Sequence, residues 1–194
     1  MPFSTSVFKD ETVDFVKAKF HSSDTVLDVG AGCGTYFNIL GKHFTKMDAV
    51  EIFEPYISEY LLKEKYANVF NVDILTFDFE YYDLIILGDV LEHISEENGI
   101  ALVKRLYPKC RELLIGVPKG PQGIHCDNVA EIHLQDNISY ESFMKTYEGF
   151  KPFALREDYS IFIKNVPENR RYSITYDAWW NGETPNRASD RPID

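Results

Sequence analysis

Positive charge is scarce in this chain. Against 31 Asp and Glu it carries 20 Lys and Arg, a formal net charge of −11. A nucleic-acid binder needs a basic face to neutralise phosphates. The nearest groupings are Lys42 and His43 with Lys46, and Arg170 with Arg171, and neither forms a stripe. DNA and bulk RNA are therefore disfavoured as partners, although a small RNA end is not excluded. Long apolar runs are missing as well. Leu84-Ile85-Ile86-Leu87 is representative of the longest, far below the ~20 residues of a membrane span, so no membrane partner is expected. The start, MPFSTSVFKDET, has no basic segment leading into an apolar one, so no signal peptide is read there. Cysteine is sparse and odd in number. Cys33, Cys110 and Cys126 are scattered without metal-type spacing, which fits a cytoplasmic location better than a disulfide framework. There are no internal repeats.

What is present is an ordinary globular composition over 194 residues, 44% of them apolar. That length suits one domain with a full core. The most informative stretch is Val26-Leu27-Asp28-Val29-Gly30-Ala31-Gly32-Cys33-Gly34. It reads as a short buried strand entering a turn with glycine at every second position. Such turns let the backbone approach a ligand where a Cβ would block it, and they lie where open α/β sheets bind nucleotide-like molecules. The dinucleotide fingerprint G-x-G-x-x-G would need glycine at position 35, where Thr35 stands, so a nicotinamide enzyme is disfavoured. A second acid, Glu51, ends the next strand-like segment, roughly 20 residues beyond the glycines, where such folds hold ribose hydroxyls. Taken alone, Glu51 could equally be an exposed strand-end carboxylate.

Alternation continues along the chain. A helix over about 7–20 carries Val13, Val16 and Phe20 at helical spacing. Strands follow near 25–29, 47–51, 68–72, 82–87 and 113–117. Helices fit between them: Thr35 to His43, from Pro55 to about Lys65, and from a Ser95 cap to about Tyr107, stopped by Pro108. A Gly- and Pro-rich loop, about 118–138, breaks the pattern, and loops of this kind commonly cover active sites. A helix at 139–147 and a hairpin over 152–164 come next. The last 30 residues hold Tyr172, Tyr176, Trp179 and Trp180 before a polar end. These aromatics dock on the body or on another subunit, so a homodimer through them is one possibility, and the terminus itself should fray.

The segments VLDVGAGCG, VEIFEPYI, NVDI, YYDLIILGDVLEHI and LLIGVP, in this order over about 25–118, resemble class I S-adenosylmethionine-dependent methyltransferases. GFKPF and YSIFIKN follow as that family's last hairpin does. The resemblance implies a doubly wound, Rossmann-like α/β sandwich with a mostly parallel seven-stranded sheet, the last strand antiparallel. It implies a methyltransferase domain over 1–165, with 1–22 as a capping helix and 166–194 as an extension. It implies S-adenosylmethionine as cofactor. Asp28 and Gly30, Gly32 and Gly34 would surround the methionine part, Asp28 through backbone or water contacts. Glu51 would hold the ribose and Ile52 would pack on the adenine. Asp73 would accept from the adenine amino group, with Ile74 beside it; a strand-end cap is the plainer role for Asp73. Gly88 and Asp89 would line the reaction centre. The acceptor is left open. A small or carbohydrate-like molecule methylated on O or N is expected. The alternatives are an inactive cofactor-binding partner subunit, its acceptor side blocked by the aromatic tail, and a metal-assisted 2′-O-methyltransferase of a small RNA end.

Asp89-Val90-Leu91-Glu92-His93 could aim two acids and an imidazole at one point, as a divalent-metal site or an acid–base pair. It resembles the E-x-x-E-H metal site of ubiquinone-type and small-RNA methyltransferases, but with the shorter Asp89 first. D-x-x-E-H also occurs in relatives without metal. The expectation is no metal, with His93 and Asp89 as the catalytic pair and His93 as base, although a purely structural imidazole remains open. His125 or His133, near Asp127, Asn128 and Glu131, could supply a further ligand, or could be ordinary loop residues.

Overall fold

The computed structural model describes residues 6–119, 128–136 and 138–164. Within them, seven strands form one sheet in the order β3-β2-β1-β4-β5-β7-β6. The strands are β1 (Val26–Val29), β2 (Met47–Val50), β3 (Asn68–Phe70), β4 (Tyr82–Gly88), β5 (Cys110–Pro118), β6 (Phe150–Leu155) and β7 (Tyr159–Lys164). β1 to β5 pair in parallel, and β7 runs antiparallel to both β5 and β6. This is the mixed seven-stranded, doubly wound sheet expected from the sequence.

Helices cover both faces, as the unbroken apolar run of β4 requires. On one face lie α1 (Lys9–Lys19), α2 (Thr35–Leu40), α3 (Glu54–Glu59) and α4 (Leu62–Lys65), packed on Val26, Leu84 and Ile86. On the other lie α5 (Glu96–Leu106) and α6 (Tyr140–Thr146), packed on Leu27, Val29, Ile85 and Leu87. The odd–even alternation of β1 and β4 decides which core each side chain joins. Asp28 shares the face of Val26, against α1–α4.

The helices differ in detail from their sequence readings. The expected helix from Pro55 to Lys65 is two pieces, because Leu61 adopts a left-handed φ of 52° between them. The buried stripe of α1 is Lys9, Thr12, Phe15 and Val16, at helical spacing but half polar; Val13 is only partly buried. Ser95 caps α5 as expected, accepting from Asn98 N at 3.4 Å. After α5 a 3-10 turn through Pro108 leads straight into β5, which begins three residues earlier than read. The extension 166–194, with its aromatics, and Arg170 and Arg171 lie outside the described residues. Among the described residues, no helix is long and apolar enough to cross a membrane.

One ion pair ties α1 to the sheet. Glu112, near the start of β5, is fully buried and bonded to Lys19 at the end of α1. Burial pushes the Glu112 carboxyl up, and Lys19 pulls it back. Removing one partner of a buried pair strands the other charge. Lys19→Ala should therefore cost about 3 kcal/mol in urea denaturation, and the double change Lys19→Met with Glu112→Leu should recover most of it.

Candidate active site

The carboxyl ends of β1 and β4 mark the point where the sheet's winding reverses, with β2 beside one and β5 beside the other. Open α/β sheets bind ligands in the crevice at such a point. The glycine turn sits there. Gly30, Gly32 and Gly34 have φ of 72°, 53° and 81°, a left-handed region that L side chains rarely enter. Gly30 and Ala31 N–H donate to the Val50 carbonyl at 2.8 and 3.2 Å, which draws the turn toward β2.

Glu51 lies directly beyond β2, buried. Its Oε2 accepts from Gly32 N and its Oε1 from Phe53 N, each at 2.8 Å. Burial pushes its carboxyl up, and these two donors oppose the shift. Glu51 thus braces the turn as well as facing the crevice, a structural duty its position in the sequence did not reveal. Asn71 holds the same segment, donating to the Glu51 and Ile52 carbonyls at 2.8 and 3.0 Å. Ile52 is about half exposed at the crevice edge. Asp73 Oδ1 accepts from Leu75 N at 2.8 Å, so the residue caps the turn after β3. Ile74 leans on the α5-side core.

Under the turn lies a buried polar floor. Asp28 is 1% exposed, and its Oδ2 accepts from the Tyr66 hydroxyl at 2.5 Å. Burial raises its pKa from 3.8 to about 7, while Tyr66 and Lys9 pull it down and Glu51 adds to the rise. Lys9, on the polar stripe of α1, donates to the Tyr36 hydroxyl at 2.9 Å and lies over that ring. Burial lowers the Lys9 pKa; Asp89 and Asp28 oppose. Two glycines make room for this floor. A Cβ at Gly88 would overlap the Tyr36 ring, and one at Gly116 the Tyr159 hydroxyl. Gly88 and Gly116 are register partners on β4 and β5, so the two tyrosines lie side by side across the strand ends. Lys9, Tyr36, Tyr66, Asn71 and Tyr159 were not singled out from the sequence. Asn71 and Tyr159 open the segments NVDI and YSIFIKN but were given no role there, and no local motif marks Lys9, Tyr36 or Tyr66.

Asp89 follows Gly88 at φ 59°, a strained conformation for a non-glycine residue, which aspartate tolerates better than most. Its N–H donates to the Gly116 carbonyl at 3.0 Å. The 3-10 turn Leu91–His93 comes next. Glu92 is 1% exposed; burial first, then the nearby Asp89 charge, push its carboxyl well up. His93 and His133 stand edge to face, ring centroids 4.8 Å apart. Burial lowers both imidazoles. The structure therefore brings Glu92, His93 and His133 together, with Asp89 close by. His125 and Asp127 lie outside the described residues.

A family model described as a methyltransferase domain matches residues 6–116. The chain belongs to that family. It is a class I S-adenosylmethionine-dependent methyltransferase, and the matched span runs from before α1 into β5, so it contains the whole glycine turn, Glu51, Asp73 and the Asp89–His93 segment. Solved structures show the same fold at low identity. Magnesium protoporphyrin IX methyltransferase from Synechocystis, solved with S-adenosylmethionine, is 19% identical with TM-score 0.59, over 80% of this methyltransferase and 76% of that chain. A sugar N-methyltransferase from Streptoalloteichus is 14% identical with TM-score 0.61, over 82% and 86%. The N-methyltransferase NodS from Bradyrhizobium japonicum, in complex with S-adenosylhomocysteine, is 15% identical with TM-score 0.58, over 84% and 89%. A search of curated protein sequences finds no match.

The buried Asp28 gives the ligand-free methyltransferase a pH signature. Its pKa is raised in the folded state, so the native protein holds a proton that the unfolded chain releases. The associated stability is fully present below pH 3.8 and is lost as pH rises through about 7. Denaturation measured between pH 4 and 8 should show wild type losing up to about 4 kcal/mol more than Asp28→Asn across that window. Parallel curves for the two proteins would remove Asp28 as the cause.

Proposed function

We propose that this methyltransferase transfers the methyl group of S-adenosylmethionine to an oxygen or nitrogen of a small or carbohydrate-like acceptor. The observation that carries the reading is the left-handed glycine turn braced by a buried acid at the end of the neighbouring strand. Glycine leaves the backbone bare where the methionine part would lie. The oxygens of Glu51 that hold Gly32 and Phe53 keep further lone pairs for ribose hydroxyls. Ile52, half exposed on the same rim, offers an apolar face to the adenine. The adenine amino group would donate to Asp73, whose turn bond uses one oxygen, and Ile74 would pack beside it.

The sulfonium supplies the reactivity, so the protein's work is largely alignment, which can lower such barriers by about 7–11 kcal/mol in favourable cases. Gly88 and Asp89 would line the place where acceptor and methyl meet, and His93 would stand on the acceptor side. The net charge of −11 argues for a neutral or cationic small acceptor over a polyanion. Names of structural neighbours support the same class: one acts on a sugar nitrogen and another on a porphyrin.

Calorimetry tests the cofactor assignment. S-adenosylmethionine and S-adenosylhomocysteine should bind and NAD should not. Glu51→Ala should lose about 1.5–3 kcal/mol of cofactor affinity, as for hydrogen bonds to a charged group. It should also lower the melting temperature, because the Gly32 and Phe53 N–H groups lose their acceptor. An unchanged dissociation constant in folded Glu51→Ala would remove the residue from the site. Once an acceptor is found by screening with labelled cofactor, His93→Ala should reduce turnover about 10²–10⁴-fold with cofactor affinity nearly intact.

A further inference from the structure

We propose that Glu92, His93 and His133 form a binding site for a divalent transition-metal ion. The expectation from the sequence was a metal-free site, because spacing alone fixed no ligand beyond the Asp89–His93 segment. The fold supplies His133. One ligand atom from each of the three residues lies within 4.8 Å of the others. Neither Glu92 oxygen has a hydrogen-bond partner, although the residue is 1% exposed. His93 Nε2 lies 3.9 Å from Oε1, and burial favours the neutral form of that imidazole. A carboxylate so buried is costly unless something coordinates or neutralises it. His93 Nδ1 and His133 Nδ1 are likewise buried without a partner. Three side chains from two chain segments thus meet with unpartnered ligand atoms: both Glu92 oxygens and one ring nitrogen of each histidine.

The site is held before any ion arrives. Leu134 N and Gln135 N both donate to the Glu92 carbonyl, at 2.7 and 3.1 Å. The Gln135 side chain donates to the Leu91 and Ile94 carbonyls, at 2.8 Å each. These four bonds fasten the segment carrying His133 to the turn carrying Glu92 and His93. An ion would add a fifth tie between the loop after β5 and the end of β4. One carboxylate and two imidazoles suit zinc, cobalt or manganese, whereas magnesium and calcium favour all-oxygen sets. Three protein ligands leave a coordination position open. On the methyl-transfer reading, an acceptor oxygen could fill that position and be polarised there. Ion binding itself does not depend on that reading.

The test titrates EDTA-dialysed full-length protein with Co²⁺, Zn²⁺ and Mg²⁺. We expect saturable Co²⁺ binding with visible d–d bands, displacement by Zn²⁺, and no competition from Mg²⁺. Hydrogen exchange of residues 129–135 should slow when Zn²⁺ is added. Glu92→Gln, His93→Ala and His133→Ala should each weaken Co²⁺ binding at least ~10-fold. His133 lies outside every helix and strand, so His133→Ala keeps the test open if the Glu92 change fails to fold. Absence of saturable Co²⁺ and Zn²⁺ binding to the wild type, or equal affinity in folded His133→Ala, would overturn the proposal. S-adenosylmethionine affinity measured on the same samples separates this result from the methyl-transfer reading.

Discussion

The Glu51 carboxylate spans the gap between the end of β2 and the glycine turn after β1, and the crevice takes its shape from that bridge. Parallel strands leave their last N–H and carbonyl groups unpaired at the carboxyl end of a sheet. Here Val50 O takes Gly30 and Ala31, Glu51 takes Gly32 and Phe53, and Asn71 closes the carbonyls of Glu51 and Ile52. The turn can then pass three times through left-handed backbone with the Gly30, Ala31, Gly32 and Gly34 N–H groups all bonded. The bare glycine backbone, the apolar rim at Ile52 and the acid at the strand end all follow from this one brace.

Beneath it, the floor balances charge at close quarters. Asp28 sits on the face of β1 that α1 to α4 cover, among apolar neighbours. Tyr66 caps it and Lys9 lends a positive charge, yet burial dominates and keeps its affinity for a proton high. Tyr36 and Tyr159 fit only because Gly88 and Gly116 lack side chains. Asp89, the next residue after Gly88, takes a left-handed conformation at the strand end. Polar groups here are therefore held by packing rather than by solvent. That is the arrangement in which small geometric changes alter pKa and alignment together.

The inner strands β4 and β5 were readable because they are buried on both faces and so carry nearly continuous apolar runs between turn signals, whereas the edge strand β3 is only partly buried. The glycine turn was readable because left-handed φ restricts residue choice so strongly. Helix interiors were less so. Nothing in the local sequence forces Leu61 out of the helix, yet it takes a left-handed φ between α3 and α4. Periodicity placed α1 but chose the apolar Val13 for its inner face, while the buried stripe takes in Lys9 and Thr12. Apolar patterning cannot mark a polar residue whose partners, Tyr36 and Asp28, stand 27 and 19 positions away.

The sequence by itself determined the fold family, the order of strands and helices, and the cofactor-type turn, since each rests on local steric or burial constraints written over a few consecutive residues. Tertiary structure alone decided which side chains share a point in space. Glu51 became a brace because β2 lies beside β1. Glu92 became buried in a 3-10 turn to which Leu134 and Gln135 are hydrogen-bonded. His133 reached His93 because four hydrogen bonds pull that loop back across the strand end. Contacts between residues forty positions apart depend on how the sheet is wound, and no short window of sequence carries that information.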